Sequence, residues 1–328
     1  MPGDWVAALI AAGAVPASLV PEASAGRSDA TEVTGADVVE GERLRVHPLD
    51  APPLAPGAVT FLDGIQRWSV VGYDGVTPIV RAYVAAAARR RGAGRRLETV
   101  EEAAEECAIT AVRALRPEVL AALRRSAPRV IDLDDVAPGQ PGRALAAAQV
   151  KVDRMREAVE HTVAERVGAR LGADEWLVVD GIISDSETLA RHPRVVGVVK
   201  SHGAQYFSGA ELERALTLPH RHRTSVFRPT TRHGQHPVYS WYVRLWPWEG
   251  NDLLYGLVRV EARAEVATLS VAGPLGAWLH AERAPLSTPD ARFDRLLYPI
   301  HLVEEYLKAR APRGQVPGRA ARLPRTGS

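Results

Sequence analysis

Two short runs, Leu177-Val178-Val179 and Val195-Val196-Gly197-Val198-Val199, are apolar or glycine at every position. A strand with one wet face alternates polar and apolar residues, whereas a strand apolar throughout must be covered on both sides. A sheet sandwiched by helices provides that cover, and the surrounding chain supplies the helices. From Ala144 to Leu171, residues Val152, Met155, Val159, Val163 and Val167 recur at helical spacing and define one buried stripe. The pattern predicts an α/β fold with a mixed sheet flanked by helices.

Other segments fill in the order. Residues 1–56 read as a short amphipathic helix near Trp5, then a Pro-rich extended arm ending at Pro52-Pro53 and Pro56-Gly57. Strands are expected at Ala58–Leu62, Trp68–Tyr73 and Thr77–Val84, with a turn at Asp74-Gly75. Thr99 followed by Glu102 has the form of a capping box, so Thr99–Arg116 is expected to be helical. Later come a short helix at Ser186–Arg191, strands at Ser225–Phe227, Val238–Leu245 and Leu253–Glu261, and helices at Gly273–Arg283 and Pro289–Arg310. The expected division is an arm (1–56), one α/β domain (57–310) and a basic disordered tail (311–328). No apolar run approaches the ~18 residues of a membrane span, and Asp4 precedes the first apolar stretch where a signal peptide is basic. A cytoplasmic location follows as an expectation. The single cysteine, Cys107, excludes an internal disulfide and any multi-cysteine zinc site.

The chemistry-bearing residues stand out against this frame. Thr60-Phe61-Leu62-Asp63-Gly64 and Leu177-Val178-Val179-Asp180-Gly181 share one form, an apolar strand closing on Asp-Gly. Carboxylates at strand ends sit at the sheet rim, where α/β folds bind ligands. Two of them on neighbouring strands repel unless a hard divalent cation, magnesium or manganese, lies between. Lys200 closes the run from Val195 and should emerge at the same rim as Asp180, placed to hold a phosphate. Glu160 flanks the apolar stripe of the long helix, with Arg156 one turn before it, and is the candidate helix carboxylate. Clustered arginines (Arg89, Arg90, Arg91, Arg95, Arg96, and Arg310 to Arg325 in the tail) are phosphate-binding candidates. His202, His220, His222, His233 and His236 lack metal-site spacing, and the stretch Tyr239 to Trp248 fits a half-buried strand as well as a base-stacking surface.

Taken in order, Phe61-Leu62-Asp63-Gly64, Val178-Val179-Asp180-Gly181-Ile182, Val195 to Ser201, Val258-Arg259-Val260-Glu261 and Tyr298-Pro299 resemble the NurA nucleases. The resemblance implies an RNase H-like core and a manganese- or magnesium-dependent nuclease acting on DNA ends. It also implies a homodimer working with a hexameric HerA-type ATPase. Carried over, Asp63, Asp180 and Glu160 would hold the metal, with Lys200 and His301 joining the catalytic set and Arg67, Lys200 and Arg259 contacting nucleic acid; Glu304 or Glu305 could supply the last-helix group in place of His301. Ile65 stands where the family has serine, and a basic segment, Pro219-His220-Arg221-His222-Arg223, falls where the family has an acidic position. The alternative is a catalytically impaired DNA clamp or adaptor. An actin-like ATPase is disfavoured, because neither Asp-Gly is followed by a glycine-rich phosphate loop.

Overall fold

The computed structural model describes residues 5–13, 15–16, 32–92, 94, 96–230, 234–249, 251–285 and 293–312. The strands along the main path of its large sheet are β1 (Ala36–Val38), β2 (Ala58–Asp74), β3 (Thr77–Arg91), β4 (Leu97–Thr110), β5 (Val130–Asp132), β6 (Glu175–Asp180), β7 (Val195–Val199), β8 (Phe227–Pro229), β9 (Val238–Arg244) and β10 (Leu257–Arg263). The helices that bear on the fold are α1 (Trp5–Ala11), α2 (Pro117–Ser126), α3 (Pro141–Gly168), α4 (Val266–Ala281) and α5 (Tyr298–Arg310), beside two shorter ones at Glu187–Ala190 and Gly209–Leu216. The main sheet runs β1-β8-β9-β10-β7-β6-β2-β3-β4-β5. The central pairs β7–β6 and β6–β2 are parallel, and most of the others are antiparallel. The fold is therefore α/β with a large mixed sheet, compatible with an RNase H-like core.

Helix α3 covers one face, its Val152, Val159 and Val163 packing with Leu62, Val84, Ala86, Leu177 and Val179. Helices α4 and α5 cover the other, where Leu275, Trp278, Ile300 and Val303 meet Phe61, Ala87, Val178, Val198 and Val260. Both apolar runs, Leu177–Val179 and Val195–Val199, are buried throughout, as their composition requires.

Three expectations need correction, and one helix was not expected. The two strands foreseen at Ala58–Leu62 and Trp68–Tyr73 are one strand of 17 residues, because β3 pairs with it along almost its whole length. The foreseen helix at Thr99–Arg116 is β4 followed by a short turn of 3-10 helix at Val112–Ala114. Helical propensity in that Glu/Ala-rich run loses to β3, a 15-residue template. Cations along its flank then take up the glutamates, Arg166 and Arg170 on Glu101, Arg129 on Glu105 and Arg81 on Glu106. Helix α2, opened by Pro117 in its first turn, had no counterpart in the sequence reading.

The last correction concerns the arm. It is not separate from the sheet: β1 pairs with β8, and Val46–Pro48 pairs with His222–Thr224. Trp5 and Leu9 of α1 are buried in a small core with Ile79, Ala108, Val119 and Leu123, and the Trp5 indole donates to Glu106 at 2.9 Å. From residue 313 the expected tail lies outside the described residues, as do Arg95 and His233. Among the described residues no helix is long and apolar enough to cross a membrane.

Candidate active site

Strand lengths create the site. The last β2–β6 pair is Leu62 with Val179, and β6 stops at Asp180, whereas β2 runs on to Asp74. Beyond Asp63, β2 thus loses its neighbour on that side and a notch opens in the sheet. Phe61 and Val178 are paired and face α4 and α5, so Asp63 and Asp180, two residues further on, point the same way. Val198 pairs with Asp180, which brings Lys200 past the end of β7 onto the same rim. Its Nζ donates to Asp180 Oδ2 at 2.8 Å. The expected neighbourhood of Asp63, Asp180 and Lys200 is present.

Asp63 reaches the notch from mid-strand, which corrects the expectation of a strand end. Gly64 does not turn the chain; it pairs with Ala86 within β2–β3 and faces α3. A Cβ there would lie 2.6 Å from Cγ and 2.8 Å from Cδ of Glu160. Glycine is what lets the helix carboxylate come down beside Asp63 from the opposite side of the sheet. Glu160 is buried, 6% exposed, and paired with Arg156. The fourth acid is Glu304 of α5, which lines the cleft and is bridged by Lys308 at 3.0 Å. The cleft has a volume of about 520 Å³, with Asp63, Asp180, Glu304, Arg156, Lys200 and Lys308 in its wall.

Electrostatics confirm the crowding. Burial holds Asp63 well above the usual carboxylate range, the charge of Asp180 pushes it further, Lys200 opposes, and Glu160 and Glu304 add to the rise. Burial also carries Glu160 up to about 7, against the pull of Arg156 and with Asp180 assisting. Asp63 Oδ1 accepts from the Gly64 amide at 2.8 Å and has no cation of its own among the described residues.

A second layer fixes the turn after Asp180. Glu261 Oε2 accepts from the amides of Ile183 and Ser184 at 2.9 and 3.2 Å, and its Oε1 takes Arg259 at 2.6 Å. Gly197 lies directly under the Gly181 carbonyl, where a Cβ would collide. Gly181 itself has φ +134°, open to glycine and strained for other residues.

Three expected site residues are engaged otherwise than foreseen. Arg259 pairs in register with Val199, on the face away from Lys200, and is buried between Glu261, Ser240 and the Tyr206 ring. It is a structural cation with no surface to offer nucleic acid. Arg67 does line the cleft, but its guanidinium is held by the carbonyls of Lys308 and Pro312 at the end of α5. His301 lies one helical turn before Glu304 and does not line the cleft; its Nδ1 is buried without a partner. Of the last-helix candidates, Glu304 is the one that lines the cleft.

The arginine cluster is likewise engaged, Arg89 over the Tyr306 ring, Arg90 on Glu175 and Arg91 on Glu282. Trp241 and Tyr242 are buried in the core. His202 stacks on Tyr242, and His220 meets His280 at 3.0 Å. Sequence reasoning passed over Arg156 as a cleft residue, although its place one turn before Glu160 was the available signal.

Three acids, Asp63, Asp180 and Glu304, thus line one cleft and a fourth, Glu160, is buried beside it against Gly64, yet among the described residues no three of them are already grouped as ligands of one ion. Three are turned onto Arg156, Lys200 and Lys308 instead. No protein-family model matches the chain, and no curated protein matches it. The likeness to NurA nucleases therefore stands on the quoted residues alone.

Proposed function

We propose that the cleft hydrolyses phosphodiester bonds of DNA ends, with manganese or magnesium held by Asp63, Asp180 and Glu160 and a fourth oxygen ligand from Glu304. The observation that carries this reading is the placing of Asp63, Asp180 and Glu304 in one cleft, with Glu160 packed behind Gly64, where burial and mutual repulsion already raise Asp63. All are hard oxygen donors, the set suited to these ions. A bound divalent cation supplies an acidified water and charge neutralisation at phosphate. The protein's own groups do the rest. Lys200 at the rim and Arg156 in the wall orient the scissile phosphate and offset its charge. The clamp of Glu261 on residues 183–184 keeps Asp180 in place. A cytoplasmic enzyme, dimeric and fed DNA by a HerA-type ATPase, is part of the proposal and is supported by the family resemblance.

The test is cleavage of end-labelled DNA with manganese, with and without such an ATPase. Asp63→Ala and Asp180→Ala should both abolish cleavage, Asp63→Ala without lowering the melting temperature and Asp180→Ala with some loss because buried Lys200 is left without its partner; parental rates in both would overturn the assignment. The DNA-clamp reading draws on a specific observation, the cations already seated on three of the acids. DNA binding with no manganese uptake at any concentration would favour it.

A further inference from the structure

Of the four acids in or beside the cleft, all but one have a cation partner. Asp180 holds Lys200 at 2.8 Å, Glu160 holds Arg156, and Glu304 holds Lys308 at 3.0 Å. Asp63 alone has only a neighbouring amide. The three cations are groups that a phosphate backbone recruits, and the three acids are groups that a hard divalent cation recruits. In the free protein each set is turned onto the other, Lys308 being shared with the exposed Glu305 at 3.0 Å and Arg156 also reaching Glu157 at 3.9 Å.

Exposure says which member moves. The Arg156 side chain is 28% exposed against 8% for Glu160, and Lys308 is 41% exposed against 17% for Glu304. In both pairs the cation is the outer partner, on a long flexible stem that can swing to a ligand in the cleft while the acid stays in place. Lys200 differs, at 8% against 18% for Asp180, so it is the fixed member of the three. An acid stripped of its partner with nothing in exchange stays buried and uncompensated, which is costly. The same acid beside a divalent cation is compensated.

We infer that phosphate and metal bind by partner exchange: a polyanion draws Arg156 and Lys308 onto its phosphates, and this frees Glu160 and Glu304 to face a divalent cation. This rests on the nuclease reading and deepens it, making each ligand a condition for tight binding of the other. By linkage the factor by which DNA tightens metal equals the factor by which metal tightens DNA.

The test measures both directions on the full chain at alkaline pH. Manganese binding is followed by calorimetry with and without a saturating single-stranded oligonucleotide. Oligonucleotide binding is followed by fluorescence anisotropy with and without manganese, and a parallel series with calcium is checked for intact DNA. The expected coupling is about 10-fold or more, the same in both directions. In Lys308→Gln, and more strongly in the Arg156→Gln/Lys308→Gln double variant, manganese alone should bind several-fold tighter. The oligonucleotide alone should bind more weakly, and the coupling should shrink towards one. Simple attraction between metal and phosphate would leave the coupling at its parental value in these variants, and that result overturns partner exchange. Additive binding in the parent also overturns it while leaving the nuclease reading intact. Absence of manganese uptake even with oligonucleotide present overturns both.

Discussion

Glu160→Gln should make the protein more stable while removing its metal site. The reasoning starts from burial: Glu160 is 6% exposed, and its carboxyl is carried from the usual 4.5 to about 7 despite Arg156. The folded state therefore holds a proton that the unfolded chain releases between those values. With more protons bound in the native state, stability falls as pH rises through that window and is flat above it. At about 1.4 kcal/mol per pKa unit, the charged form carries a penalty of roughly 3 kcal/mol, which already includes the attraction of Arg156. Glutamine has the shape of the protonated acid and never ionises, so the variant escapes the fall. The Asp63 carboxyl, raised by the same burial, loses its proton in both proteins and cancels to first order. Urea midpoints of the two proteins should coincide below pH 4.5 and diverge in favour of glutamine as pH approaches about 7. There the gain should be worth several degrees of melting temperature. Manganese binding and cleavage should be lost together. A variant less stable than the parent above neutral pH would show that Glu160 is an ordinary structural ion-pair partner and would remove the argument that its position is maintained for function.

Other outcomes follow from the same geometry. Gly64→Ala should displace Glu160, cost roughly 1–3 kcal/mol as an overpacked core does, and weaken manganese binding; parental affinity by calorimetry would refute the role given to this glycine. Trp5→Ala should lower stability by about 3 kcal/mol, the scale of a buried aromatic truncation. An unchanged melting temperature would instead mark α1 as a free docking element. Glu261→Gln should speed hydrogen exchange at the Ile183 and Ser184 amides and weaken manganese binding. If exchange accelerates and metal affinity does not move, the clamp is structural only.

What could be read from the sequence was whatever depends on local pattern. The apolar runs before Asp180 and Lys200 identify buried strands, and a one-strand offset between parallel neighbours suffices to bring these two ends together, as the Val198–Asp180 register shows. Helical phase placed Glu160 on the flank of the stripe, and it is buried there. Register across distant strands leaves no such mark. Arg259 differs from a cleft residue by one position, since it pairs with Val199 while the Val198–Val260 pair faces the other way, and a single residue changes the face of the sheet. Likewise Glu304 and His301 are one helical turn apart on α5, and only its packing against β2 decides which meets the cleft.

Asp63 shows how the right residue can be found for an incomplete reason. The Asp-Gly pair suggested a strand end because glycine after an acid commonly turns the chain. Here β2 continues, and the opening is made by the shorter strand beside it, which ends at Asp180. The glycine answers to a helix about a hundred residues later in the chain, whose acid needs the volume a side chain would fill. The two Asp-Gly pairs therefore look alike and do different work. At Gly181, with φ +134°, the backbone leaves the sheet; at Gly64 it stays, and the space is given to Glu160. If that distinction holds, alanine at 64 and alanine at 181 should fail differently. Substitution at 64 should displace a ligand while the Asp180–Lys200 pair survives. Substitution at 181 should strain the turn clamped by Glu261 and disturb that pair first.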